Sequence, residues 1–454
     1  MSENSRFFLR NKFYYYLTLA VIATTLFSWF NLNSYLIILL LICRLVDGSP
    51  KAALRAAGTN VYFWAYSIIF GIELAGLLYT HDLYTGWKHM ESKATLLAIP
   101  FIFLGGPFTN PTGYRKLMTA FCLLLAGTCL YCLGMAALEY RWQRDAGVFF
   151  YHQLTSPVGV NAVFFSGYVL VAILFLLFSA VSPVSLFSRA RPSPVVVRGM
   201  RITLILFFTG MMLLLSSRLL LVLLAFAFIA YAIGRSRPKM KGTASFSLIL
   251  LVALALGALA FTDNPFSRRY RELSPGQLTT SIQEEVLHDA RVNGVSLRLF
   301  MWRTAFSILN EQHAWIIGVS GGDSQTRLDE RYMAAGLSQG YLHYNFHNEY
   351  IEVLVHSGLI GGLLFMGSMI ALIVLARTTG TIPAVFTTAL VLLLCNTESA
   401  FEMQHGLFLC CFFPLLHFCG QSARRGDKAV TGSIGWKPRS SSGPSQQSPA
   451  FPYS

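Results

Sequence analysis

Apolar residues in this chain come in long uninterrupted runs, separated by short polar stretches. The runs cover 14–30, 34–47, 62–80, 94–108, 117–138, 158–181, 200–216, 218–234, 245–262, 348–376, 381–398 and 403–420. A backbone surrounded by lipid must satisfy its own N–H and C=O groups, and a run of about 20 apolar residues does so as a helix crossing the hydrocarbon layer. The pattern predicts an all-α polytopic membrane protein with about twelve transmembrane helices. The runs at 34–47 and 94–108 are short, which fits a tilted or re-entrant segment as well as a full crossing.

Residues 263–347 break the pattern with a long polar segment. Loops of that length are functional or disordered, and this one carries a folding signal. Within 296–310, Leu297, Phe300, Met301, Ala305 and Ile308 recur at helical spacing, so an amphipathic helix is expected. The predicted division is therefore 1–262 with membrane helices one to nine, 263–347 as one large, partly helical loop, 348–420 with helices ten to twelve, and 421–454 as a tail. The tail is rich in Ser, Pro and Gly from 430 onward, which predicts disorder.

Composition sharpens the class. The 454 residues are 54% hydrophobic and 12% charged, where soluble domains carry about 25% charged residues. A net charge of +14 would suit a nucleic-acid binder if the cations were gathered on one face. They sit instead in alternate short loops: Lys51 and Arg55; Arg115 and Lys116; Arg189, Arg191 and Arg198; Arg235, Arg237, Lys239 and Lys241; Arg377. Those loops contain no Asp or Glu, whereas the opposite set mixes signs, as in His81, Asp82, Lys88 and Glu91. The asymmetry predicts both termini in the cytoplasm and 263–347 on the far side, and it excludes nucleic acid as a partner. Arg6, Arg10 and Lys12 before the first run could open a signal peptide, but no small-residue cleavage site follows, so a retained first span is expected. The eight cysteines all lie in apolar runs without metal-ligand spacing, which reads as small hydrophobes and no metal.

Three places carry candidate chemistry. Arg218 stands at the tight turn between two runs, in SSRLLL. An arginine there either snorkels to headgroups or, facing away from the cytoplasm, forks onto lipid pyrophosphate oxygens. In YLHYNFHNEYIEVLVHSGLIGG, 341–362, Asn345 or Asn348 can cap the tenth helix, with Glu349 in its first turn. His347 at that mouth is either an ordinary interfacial histidine or a neutral imidazole able to take a proton from a sugar hydroxyl. Glu349, Glu352 and His356 share a helix face running into the apolar zone, where they either pair with one another or line a cavity. Gly358, Gly361 and Gly362 read as close-packing positions. Arg298 and Arg303 fall on the loop helix, and Gly321-Gly322-Asp323 reads as a turn; no nucleotide-binding motif is present.

SSR at 216–218, SLR at 296–298, HNEYIEVLVHSGLIGG and NTESAFEMQHG at 396–406 together resemble the O-antigen ligase superfamily over about 200–405. That group includes lipopolysaccharide O-antigen ligases, O-antigen polymerases and bacterial protein O-oligosaccharyltransferases. The resemblance implies a GT-C-like, metal-independent and cofactor-free glycosyltransferase of the Gram-negative inner membrane, with its active site facing the periplasm. It implies that Arg218 and Arg298 hold the pyrophosphate of an undecaprenyl-diphosphate-linked glycan, the donor. His347 would activate the acceptor hydroxyl on lipid A–core, with Arg303, Glu349 and Glu352 as supporting groups. Ligation of O-antigen is the expected reaction, O-antigen polymerisation the alternative within the family. A lipid-glycan flippase is the alternative from another class, which the absence of repeated halves disfavours.

Overall fold

The computed structural model describes residues 3–46, 50–104, 111–179, 193–235, 294–337 and 339–422. The span expected at 245–262, the loop from 263 to 293, the cationic stretches at 182–192 and 236–244, and the tail from 423 lie outside the described residues.

Every regular element among the described residues is helical. In chain order these are α1 (Glu3–Leu26), α2 (Phe30–Val46), α3 (Pro50–Gly58), α4 (Val61–Gly76), α5 (Leu83–Lys93), α6 (Thr95–Phe103), α7 (Pro111–Gln143), α8 (Tyr151–Thr155), α9 (Ala162–Phe178), α10 (Pro194–Leu215) and α11 (Arg218–Arg235). The loop then contributes α12 (Gly294–Glu311) and α13 (Gly321–Ala334), before α14 (Glu349–Thr379), α15 (Ile382–Thr397) and α16 (Gln404–Ser422) close the bundle. Side-chain caps start several of them: Asn60, Asp82, Asn161, Ser193 and Asn348 each accept a backbone N–H from the first turn that follows.

The bundle is built around α9, which is buried on every side from Ala162 to Leu177 and packs against α7, α10, α11, α15 and α16. A helix apolar all round belongs in such a centre. The outer helices behave oppositely. On α11, Val222, Phe226, Ile229 and Ile233 stay exposed at helical spacing, and on α14 so do Leu363, Met366, Ile370 and Val374. Outward apolar stripes of this kind need a hydrocarbon solvent, so this is a membrane protein. Thr112–Gln143, Pro194–Leu215 and Glu349–Thr379 are each long and apolar enough to cross a membrane. Tyr151–Val158 and Ala162–Phe178, bent by 83°, make a fourth if taken as one span; Phe30–Val46, Val61–Gly76, Arg218–Gly234, Ile382–Thr397 and Gln404–Cys419 are apolar but shorter. Pro414 inside α16 cannot donate to the Cys410 carbonyl, and the Tyr66 hydroxyl donates there instead at 2.6 Å.

The loop and the bundle are joined through a break in α14. Gly358 has φ 61° and ψ −161°, so the helix is interrupted about two and a half turns in from its start at Glu349. Residues 315–320 fill the interruption. Leu359 and Ile360 donate to the carbonyls of Trp315 and Ile316 at 2.8 and 3.2 Å, and Val319 and Ser320 donate to those of Val355 and His356 at 2.8 and 2.9 Å. The Tyr79 hydroxyl donates to the His356 carbonyl as well, at 2.8 Å. Gly358 was expected only to permit close packing; it does more, because a Cβ there would drive into the Ile316 carbonyl. Gly361 keeps the expected role, with Ile72 of α4 against its bare Cα face.

Replacing Gly358 with Ala therefore forces a strained φ and a backbone clash, each costing about 1–3 kcal/mol. Gly362→Ala meets nothing closer than Leu354 at 3.9 Å. Thermal unfolding in detergent should show a clear loss of melting temperature for the first variant and none for the second. Equal melting of both would refute the strap.

Candidate functional site

Residues 339–348 lead from the loop into α14, and three loop side chains fix their course. Asp329 accepts from the His343 N–H at 2.9 Å, the Tyr332 hydroxyl donates to the Tyr344 carbonyl at 3.1 Å, and the Trp302 indole donates to the Phe346 carbonyl at 3.0 Å. The helix expected over 296–310 is present as α12, with Leu297, Met301, Ala305 and Ile308 buried against α13 and α14. His343 and His347 both lie at positive φ, 68° and 48°. Left-handed backbone costs a non-glycine residue about 1–2 kcal/mol and persists where surrounding structure imposes it, typically at functional sites.

His347 is brought to a partner outside its own segment. Its Nδ1 lies 2.9 Å from Glu398 Oε2, and Arg298 Nη2 donates to Glu398 Oε1 at 2.9 Å. The carboxylate is buried, while the His347 and Arg298 side chains keep 24% and 29% of their surface. An imidazole and a guanidinium thus open toward solvent side by side, backed by one buried anion. The Tyr344 ring stands edge-on to His347 at 5.9 Å between centroids.

Glu349 and Glu352, expected as supporting groups, are buried behind this opening. Glu349 Oε2 accepts from the Phe401 N–H at 2.8 Å. Glu352 Oε2 accepts from the Ser399 hydroxyl at 2.5 Å and from the Phe346 N–H at 3.2 Å. Both carboxylates therefore hold the 398–403 turn, which also carries Glu398, against the start of α14. Asn348, not Asn345, is the cap; Asn345 instead accepts from the His347 N–H at 3.1 Å.

A deeper ionic cluster continues inward. His356 lies 3.3 Å from Glu352 and 3.4 Å from Glu73, so the face shared with Glu352 is used for pairing. Lys93 places its ammonium 2.7 Å from both Glu73 and Glu402, and His89 Nε2 is 2.5 Å from Glu402. Burial would raise the Glu402 carboxyl, but His89 and Lys93 beside it hold it well below the usual carboxylate range. Ligand atoms of Glu73, His89 and His356, and likewise of Glu352, His356 and Glu402, lie within 4.8 Å of one another. The Lys93 ammonium already occupies a cation's place between Glu73 and Glu402.

Arg218 and Arg303 are not partners in the contacts given above. Arg218 begins α11, beside α9 and α15, and Arg303 is exposed on α12. No described contact joins either one to Glu398. Asp323, read as a turn residue, lies in the first turn of α13, where it accepts from the His81 and Asp82 N–H groups at 2.9 and 3.0 Å. The cluster and site residues that sequence reading missed are Glu73, His89, Lys93, Glu398 and Glu402. Only His89 and Lys93 carried a local signal, standing four apart on the one helix α5.

Fold and site together define an all-helical membrane protein whose polar chemistry collects where a folded loop enters one broken helix. Residues 202–366 match the family model described as O-antigen ligase, a family of glycosyl-transferring enzymes. The match supports the O-antigen ligase superfamily and, with it, lipid-linked glycan as the general substrate class. It spans Arg218, Arg298, Arg303, His347, Glu349 and Glu352, and ends before Glu398. Comparison with curated proteins gives no match.

Removing the cation from a buried cluster leaves carboxylates uncompensated, at about 3–5 kcal/mol. Lys93→Met should therefore lower detergent unfolding stability by that amount. Adding Glu402→Gln should recover part of it, so that the double variant is more stable than the two single losses imply. Strict additivity would show that the cluster is not energetically coupled.

Proposed function

We propose that this protein is an O-antigen ligase. It transfers O-antigen from undecaprenyl diphosphate to lipid A–core on the periplasmic face of the inner membrane, within a GT-C-like bundle of about twelve spans. The four-part division at 262, 347 and 420 belongs to the same reading. The observation that carries it is the His347–Glu398–Arg298 constellation, which sets a base and a cation side by side at the mouth of a membrane helix.

In this reading His347 Nε2, which has no described partner, takes the proton of the attacking acceptor hydroxyl. The acceptor oxygen bonds to the anomeric carbon of the glycan as the bond from that carbon to the phosphate oxygen breaks. The electron pair leaves on the diphosphate, where Arg298 and Arg218 offset the growing negative charge. Arg303 extends the cationic side of the loop helix. Glu349 and Glu352 act through the 398–403 turn, keeping His347 in place. Diphosphate is a good leaving group, so positioning and charge stabilisation suffice for the step as written.

The test is a lipopolysaccharide gel with analysis of lipid-linked glycan, using a strain lacking the protein and strains carrying His347→Ala or Arg218→Ala. Core-only lipopolysaccharide with full-length glycan accumulating on the carrier lipid is expected, and His347→Ala should cut transfer by roughly 10²–10⁴-fold. Core bearing a single repeat unit would make the protein a polymerase instead. An unchanged ladder would remove it from this pathway.

A further inference from the structure

We infer that Glu398 is a positioning residue for the transfer reaction, fixing the tautomer and ring plane of His347 while it holds the Arg298 fork in the same opening. The inference rests on the reading of His347 as the base.

A carboxylate has no proton to give, so the ring nitrogen 2.9 Å from Glu398 Oε2, Nδ1, is the one that carries hydrogen. A neutral imidazole protonated at Nδ1 has its lone pair on Nε2, which leaves that nitrogen able to take a proton. Once Nε2 has taken the acceptor proton, the imidazolium already has its second N–H aimed at an anion. Glu398 neither gains nor loses a proton in the step. Its other oxygen accepts from Arg298 Nη2 at 2.9 Å, so the two positive groups are held on opposite oxygens of a single side chain.

Glu398 is itself held rigidly enough to do this. It is 4% exposed and ends α15 in extended backbone, its N–H donating to the Leu394 carbonyl at 2.8 Å. The next residue, Ser399, donates to Glu352 and accepts from the Asn348 N–H, one residue beyond His347. Carboxylate and imidazole are therefore carried by two backbones tied to each other on both sides. Orientation of a reactive histidine by a buried acceptor is worth much of its reactivity.

A mere ion pair with Arg298 would make a different prediction. Glutamine at 398 keeps the size of the side chain and still accepts from Arg298 through its carbonyl oxygen. Its amide, however, presents hydrogens to Nδ1, which moves the imidazole proton to Nε2 and silences the base. Alanine only releases the ring, and aspartate keeps the anion on a shorter arm.

The full chain and its variants would be placed in liposomes with undecaprenyl-diphosphate-linked O-antigen and lipid A–core, after a check for wild-type melting. Glu398→Gln should lower kcat on the order of 10²–10⁴-fold. The expected order of kcat is Glu398→Asp first, then Glu398→Ala, with Glu398→Gln at or below it, and KM for both substrates within about two-fold of wild type. A glutamine variant more active than the alanine variant would overturn the inference. His347→Ala separates the two levels. If it still transfers, the base reading fails; if it is inactive while Glu398→Gln works, only the role of Glu398 fails. Histidine NMR on the unsubstituted, isotope-labelled protein gives a second check that needs no variant to fold. It must find the His347 proton on Nδ1, and a proton on Nε2 alone would refute the proposal.

Discussion

The buried ammonium of Lys93 is the contact on which the charged half of this structure depends. Four carboxylates, from Glu73, Glu349, Glu352 and Glu402, are gathered near the start of α14. Bringing that much negative charge out of water is costly unless it is paired at close range. Lys93 sits between Glu73 and Glu402, while His89 and His356 complete the pairing. Through it α4, α5, α14 and the 398–403 turn are drawn to one point. Because that turn also carries Glu398, the placement of His347 is downstream of an interaction that never reaches the surface.

The broken helix provides the other half of the arrangement. An unbroken α14 would satisfy its own backbone and leave the loop to lie on the bundle by side-chain contact alone. The interruption at Gly358 frees two donors and two acceptors, and residues 315–320 take all four. α12 and α13 are consequently tied to a membrane helix by backbone hydrogen bonds. Arg298 on α12 and His347 before α14 then keep a defined spacing, although they stand 49 positions apart in the same loop.

Much of this was legible because membranes restrict the options. Apolar runs near 20 residues admit one regular backbone, so the helical class follows from the runs themselves. The period of Leu297, Met301, Ala305 and Ile308 likewise gave the loop helix, and residue type marked His347 and Arg298. What escaped was partner choice over distance. Glu398 lies 51 residues from His347 and 100 from Arg298, and no local pattern encodes such a pairing. Lys93 ends a short polar helix that reads as a surface element, yet it is fully buried. Gly358, Gly361 and Gly362 look alike in sequence, but one breaks a helix and another admits a neighbour, because φ is set by the strap and not by the residue.

The buried cluster also has an order in time. Glu73 and Lys93 are 20 residues apart and can neutralise each other as soon as that hairpin emerges from the ribosome. His89 and Glu402 are separated by 313 residues. At about 5–20 residues per second, Glu402 follows roughly 15–60 s later. During that interval the early hairpin resides in the translocation machinery or the bilayer with its ammonium half satisfied. The last part of the chain thus brings the carboxylate that completes the pairing of Lys93 and His89.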